Sequence, residues 1–283
     1  MNLLFVRHLT VIDFAYLDPR RGLVGESWIV DVELEGDLDE QGMVFDFSHV
    51  KKALKAGIDD FLDHKLAVPT QLPGLVVEPM GETVQIRLPL ATGGEIVHQS
   101  PASALCLIST AAVTPESVVP VLTETLRRRL PDNVKRLGIV LRQEAIEGAF
   151  YHYVHGLKKH QGHCQRIAHG HRSRLEISQD GSRSATLEQA WAANWCDIYI
   201  GTREDLVGAQ EIDGISHTEF AYDANQGHFY LCLPSRQVYL IDTDSTVEWI
   251  AQHIVHSLKQ TSPGSTFEVR AFEGVDKGSL ARL

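Results

Sequence analysis

The residues best able to do chemistry are concentrated between Tyr151 and Arg172, YHYVHGLKKHQGHCQRIAHGHR, a stretch with six of the chain's fourteen histidines and one of its four cysteines. His169 and His171 flank one glycine just before Leu175, Glu176 and Ile177. They therefore fall on one face at the start of a strand, where side chains repeat with period two. With His155 they make three imidazoles, and a His-x-His pair plus one distant His is the ligand count of a catalytic zinc site that leaves its fourth position open. Cys164, in the loop between them, is either a fourth ligand or a reactive thiol. His160 and His163 lie in the same loop and are rival bases.

The composition is that of an ordinary globular chain. Of 283 residues, 43% are hydrophobic and 22% charged, enough to bury a large core in one or two domains. No apolar run reaches the eighteen or so residues that a membrane-spanning helix needs. Met1 to Val6 is interrupted by Arg7 and Asp13 before a signal-peptide core could form. The expected location is the cytoplasm. Cys106, Cys164, Cys196 and Cys232 are scattered without paired spacing, which fits reduced thiols. A net charge of −11 disfavours nonspecific nucleic-acid binding.

The elements that must position the histidines follow from hydrophobic periodicity. Leu3 to Leu17 and Trp28 to Glu35 read as strands of a hairpin about the turn Asp18 to Gly22. Val50, Leu54, Ile58 and Phe61 recur at helical spacing, with Ser48 as the expected cap and Leu62, Asp63 and His64 at the end. Thr83 to Leu88 is a short strand, Thr114, Pro115 and Glu116 open a second helix towards Leu130, and Leu137 to Arg142 is a strand that ends at Glu144. The second half repeats this order. Phe150 to Leu157 and Ser173 to Ser178 are strands, Thr186 to Trp195 is a helix, and Phe229 to Leu233 and Val238 to Ile241 are strands. A helix then runs from Asp244 to Leu258, and the strand Phe267 to Phe272 ends at Glu273. Matched parts are offset by 129 to 145 residues, which implies a tandem duplication joined near Ala145 to Ala149.

With the segments Tyr151 to His155, Cys164, His169-Gly170-His171, Gly42-Met43-Val44-Phe45-Asp46-Phe47, Leu62-Asp63-His64 and a strand-end glutamate, the chain resembles the 6-pyruvoyl-tetrahydropterin synthase and 6-carboxy-tetrahydropterin synthase family. The resemblance implies an α+β fold of two tandem tunnelling-fold (ββααββ) units, 1–146 and 147–283. Their antiparallel sheets would carry helices on one face and close a barrel by homo-oligomerisation. It implies zinc held by His155, His169 and His171, catalysis by Cys164, Asp63 and His64, and a pterin ring anchored by Glu273 or Glu144. The substrate it implies is 7,8-dihydroneopterin triphosphate, and the product is 6-carboxy-5,6,7,8-tetrahydropterin for queuosine and other deazapurines. The variants are 6-pyruvoyl-tetrahydropterin synthesis, or non-catalytic binding of a pterin or purine.

The first half has Tyr16, Val24 and Glu26 where the histidines would fall, and the second half has no Leu-Asp-His. One site would thus draw on both halves. The segment from Val68 to Ser109 exceeds what a minimal unit needs and reads as an insertion. Elemental analysis of the purified protein is expected to give about one zinc per chain, since only one half carries the three histidines; two would contradict this reading.

Overall fold

The computed structural model describes residues 2–283, apart from the side chain of residue 47. The chain runs β1 (Asn2–Asp18), β2 (Gly22–Gly36), α1 (Phe47–Phe61), β3 (Leu66–Pro69), β4 (Val76–Met80), β5 (Thr83–Pro89), β6 (Glu95–Pro101), β7 (Leu105–Ile108), α2 (Pro115–Arg127) and β8 (Val134–Arg142). It continues with β9 (Phe150–His155), β10 (His169–Gln179), the two-residue β11 (Ser182–Arg183), α3 (Ala185–Asn194), β12 (Ile198–Thr202), β13 (Leu206–Ile212), β14 (Ile215–Ala224), β15 (Gly227–Pro234), β16 (Val238–Ile241), α4 (Val247–Thr261), β17 (Phe267–Phe272) and β18 (Gly278–Arg282).

The same topology occurs twice. One sheet has the order β7-β3-β1-β2-β8, and the other has the order β16-β12-β9-β10-β17-β18, with β11 beside β10. The expected antiparallel sheets are in fact mixed. β3 runs parallel to β1 and β7, and β12 runs parallel to β9 and β16. Parallel neighbours need a crossover rather than a tight turn. α1 supplies the crossover between β2 and β3, and α3 supplies the one between β10 and β12.

The segment read as an insertion forms a third sheet. β4, β5 and β6 make an antiparallel meander, β13, β14 and β15 make its counterpart in the second half, and the two join edge to edge in the order β13-β14-β15-β6-β5-β4. The seam pairs Tyr230 with Gln99, Leu231 with His98 and Cys232 with Val97. Each meander covers an edge that would otherwise leave the other with unpaired backbone groups.

Burial follows the same division. One core lies between the first sheet and its helices, where Val50, Leu54 and Ile58 of α1 meet Val118, Leu122 and Leu126 of α2. A second lies under α3 and α4, around Trp195, Ile250, Ile254 and Val255. A third, beneath the shared sheet, draws on both halves, from Leu17, Leu66 and Ile86 to Val154, Tyr199 and Phe220. α1 starts earlier than expected. Its N-cap is Asp46 rather than the expected Ser48: the Asp46 carboxylate accepts from the backbone N–H groups of Ser48 and His49 and from the Ser48 hydroxyl. α2 is capped by Thr114 as its sequence implied, with a reciprocal bond from Ser117. Among the described residues no helix is long and apolar enough to cross a membrane.

The two halves meet where β10 packs on β1 and β2. Gly25 and Gly170 make this approach possible. A Cβ on Gly170 would stand 2.7 Å from Cα of Gly25 and closer still to the Tyr153 carbonyl, and both obstacles are backbone. Gly170→Ala is therefore expected to lower stability by about 1–3 kcal/mol through overpacking, read as a lower denaturation midpoint. An unchanged midpoint would contradict the close approach.

Candidate metal and acid–base site

The antiparallel register of β9 and β10 sets His169 opposite His155 and His171 opposite Tyr153. Period-two alternation keeps His169 and His171 on one face. All three histidines are buried, and one ring nitrogen from each lies within 4.8 Å of the other two.

Their outer nitrogens are spoken for. Nδ1 of His155 donates to the Ser245 carbonyl at 2.9 Å, just ahead of α4, and Nδ1 of His169 donates to the Arg166 carbonyl at 2.9 Å. A carbonyl can only accept, so both rings carry their proton on Nδ1 and direct the Nε2 lone pair inward. His171 Nδ1 faces Asp13 Oδ1 at 3.2 Å, off the line of a regular hydrogen bond. The carboxylate favours the same tautomer. Nε2 of each histidine is buried with no hydrogen-bond partner among the described residues. Burial, followed by repulsion from His171, holds the His155 pKa well below the usual imidazole range, and burial followed by repulsion from His155 does the same for His169. Three imidazoles whose unpartnered nitrogens lie close together are the kind of donor set that zinc takes.

A second cluster adjoins the first. His64, Cys164 and His169 present ligand-type atoms within 4.8 Å of one another, and the rings of His64 and His169 are 5.2 Å apart. Asp63 Oδ2 lies 2.6 Å from His64 Nδ1. Burial alone would lower the His64 pKa, but hydrogen bonds with Asp63 and Cys164 outweigh it and raise it to about 10. His64 also has a φ of +54°, an uncommon backbone region for a side-chain-bearing residue and one that recurs at functional sites.

Residues from both halves hold this arrangement. The Asp13 amide donates to Asp63 Oδ1 at 2.9 Å, and the Asp13 carbonyl accepts from the His64 amide at 2.7 Å. Arg166 Nη1, from the second half, donates to the His64 carbonyl at 3.2 Å. The Asp13 carboxylate accepts from Ser27 Oγ at 2.6 Å and from Lys277 Nζ at 3.0 Å. Burial acts to raise the Asp13 pKa, and the facing His171 and Lys277 more than reverse it, leaving the carboxyl far below its ordinary range.

The structure thus brings together His155, His169, His171, Cys164, Asp63 and His64. Of the two strand-end glutamates, Glu273 stands beside the cluster, with Oε1 3.9 Å from His171 Nε2. Glu144 instead faces Arg174 Nη1 at 3.4 Å, with its other oxygen buried and unpartnered. The rival bases belong to neither group of converging ligand atoms. His160 accepts from the Gly162 amide, and His163 pairs with the Gln226 side chain. Asp13 and Ser245 were not singled out from the sequence as site residues. Asp13 sits in a strand of mixed polarity that offers no signal, and Ser245 is one of several capping residues before α4.

The chain is similar to known proteins over part of its length. The family model described as 6-pyruvoyl tetrahydropterin synthase matches residues 12–152. A protein of Pyrococcus horikoshii named as a 6-carboxy-5,6,7,8-tetrahydropterin synthase is 26% identical over 128 residues, covering 45% of this chain and 73% of its own. Its namesake in Pyrococcus abyssi is 25% identical over the same shares. The crystal structure of 6-pyruvoyl tetrahydropterin synthase from Plasmodium vivax aligns at 18% identity with a TM-score of 0.38, covering 50% of this chain and 97% of its own.

Asp13→Asn removes the charge behind His171 and keeps the backbone bonds to Asp63 and His64. Loss of such an outer partner is expected to weaken zinc binding by about 10–100-fold, measured by chelator competition. Unchanged affinity would show that Asp13 does not act on His171.

Proposed function

The chain belongs to the 6-pyruvoyl tetrahydropterin synthase family, and from that membership we propose that it is a zinc-dependent lyase. In this reading it converts 7,8-dihydroneopterin triphosphate to 6-carboxy-5,6,7,8-tetrahydropterin in the cytoplasm, a step towards queuosine and other deazapurines. The observation that carries the reading is the set of three buried, unpartnered Nε2 atoms beside a Cys–His–Asp group. An apolar core would not leave such atoms without partners unless something else satisfied them.

His155, His169 and His171 hold the metal in this proposal. When bound, zinc supplies Lewis acidity that makes protons beside the substrate's side-chain hydroxyls easier to remove. The remaining work falls to the chain's own residues. Cys164 and His64 stand on one side of His169, where they take a proton from the C6 side chain and return one. Asp63 orients His64 and keeps it protonated through neutral pH, so His64 is the donor and Cys164 the acceptor. Glu273, beside the histidines, accepts hydrogen bonds from the N3–H and 2-amino group of the pterin. Glu144, turned towards Arg174, is the weaker candidate for this anchor.

The repeated element order supports reading residues 1–146 and 147–283 as duplicated tunnelling-fold units, the first supplying Asp63 and His64 and the second the zinc ligands. Closure of a barrel would then come from assembly of several copies of the chain.

Cys164→Ala is expected to keep the zinc and lose turnover of dihydroneopterin triphosphate by about 10²–10⁴-fold, the usual contribution of a proton-transfer group. His64→Ala should do the same. Product analysis by mass spectrometry distinguishes 6-carboxy- from 6-pyruvoyl-tetrahydropterin, and full turnover in His64→Ala would overturn the shared site.

A further inference from the structure

The first half contains the counterpart of the histidine cluster, and the strand registers identify it residue by residue. Tyr16 pairs with Val24, and Phe14 with Glu26, across β1 and β2, as His155 pairs with His169 and Tyr153 with His171 across β9 and β10. Tyr16, Val24 and Glu26 therefore occupy the three ligand positions. The surroundings correspond as well. Thr114 caps α2 as Thr246 caps α4, so Val113 stands where Ser245 supports His155.

The cross-half support is also repeated with different chemistry. Asp197, ahead of β12, shares the φ of +54° that His64 has ahead of β3. Arg21 joins Asp197 through Nε at 2.8 Å and donates to the Tyr16 hydroxyl at 2.9 Å. The counterpart thus keeps a bond between the halves and has no imidazole at the three ligand positions.

Its centre is a cavity of about 380 Å³, within the roughly 300–1,000 Å³ of small-molecule sites. Tyr16 and Trp28 give it aromatic walls, and Glu26, Thr114, Arg142 and Gln143 give it polar ones. Glu26 is only 3% exposed. Its carboxylate accepts from the Ser27 amide at 2.9 Å and from Gln143 Nε2 at 2.6 Å, and burial raises its pKa despite these bonds. Arg142 is turned away to Asp31 at 3.0 Å. One carboxyl and one phenol do not make a metal site. A buried carboxyl with spare lone pairs instead suits a ligand that donates N–H bonds.

We propose that this cavity is a second, metal-free site for a planar nitrogen heterocycle with adjacent N–H donors, such as the 2-amino-4-oxo edge of a pterin, and that Glu26 anchors it. The site is independent of the zinc-dependent chemistry and goes beyond it, because among the described residues its lining presents no thiol or imidazole to the ligand.

Calorimetric titration of the full chain with pterin tests the assignment. If both sites bind, the unsubstituted protein takes up two pterins per chain, Glu26→Gln takes up one, and Glu273→Gln keeps the one that depends on Glu26. If the lyase reading alone fails, one pterin binds, its binding is abolished by Glu26→Gln and it is insensitive to Glu273→Gln. Gln143→Ala, at an exposed strand end where folding is not at risk, should weaken the Glu26 site about tenfold, the effect of one lost hydrogen bond to a charged group. Pterin binding that is identical in the unsubstituted protein, Glu26→Gln and Gln143→Ala overturns the proposal, as does the absence of pterin binding.

Discussion

Asp13 is the constraint on which the site depends. It lies in β1 of the first half, almost fully buried, and a buried carboxylate is tolerated only when charges and donors surround it. Lys277 and Ser27 supply them, and His171 faces the same carboxylate. Its backbone meanwhile grips Asp63 and His64 through an amide and a carbonyl. One residue therefore faces the histidine cluster from behind and holds Asp63 and His64 beside it. Neither half could hold this geometry alone, since Asp13, Asp63 and His64 come from one and His171 and Lys277 from the other.

The close packing of the halves makes such sharing possible. Gly25 and Gly170 let the strands approach until their backbones touch, and His152 Nδ1 reaches the Gly25 carbonyl at 2.6 Å. The shared sheet ties the halves a second time through the β6–β15 seam, over a core drawn from both. Two such ties, one at the site and one remote from it, resist rotation of one half against the other. Atoms contributed by different halves can then stay within hydrogen-bond distance.

Much of the local structure was legible in the sequence because it follows from periodicity. Val238 to Ile241 and Phe267 to Phe272 coincide with β16 and β17, and α1 and α2 lie where their apolar spacing implied. β3 and β12 were missed because four or five apolar residues in a row, as in Leu66 to Pro69, carry no period that distinguishes a buried strand from a helix turn. The insertion was visible as excess length, and its purpose was not. Val97 and Cys232 are far apart in the chain, and nothing local in either segment names the other as its partner. The sheets proved mixed for a related reason, because strand direction depends on where a crossover returns.

The sequence by itself determined which residues could do chemistry. His-Gly-His places two imidazoles on one strand face, and the split of histidines and Asp-His between the halves pointed to a site that draws on both. Only the tertiary structure decided which nitrogens are free, that Asp13 joins the two groups, and that Glu273 rather than Glu144 stands beside the histidines. Residue type and spacing set what a side chain can donate or accept within one element. Its actual partner depends on distances between elements far apart in the chain, and packing alone sets those.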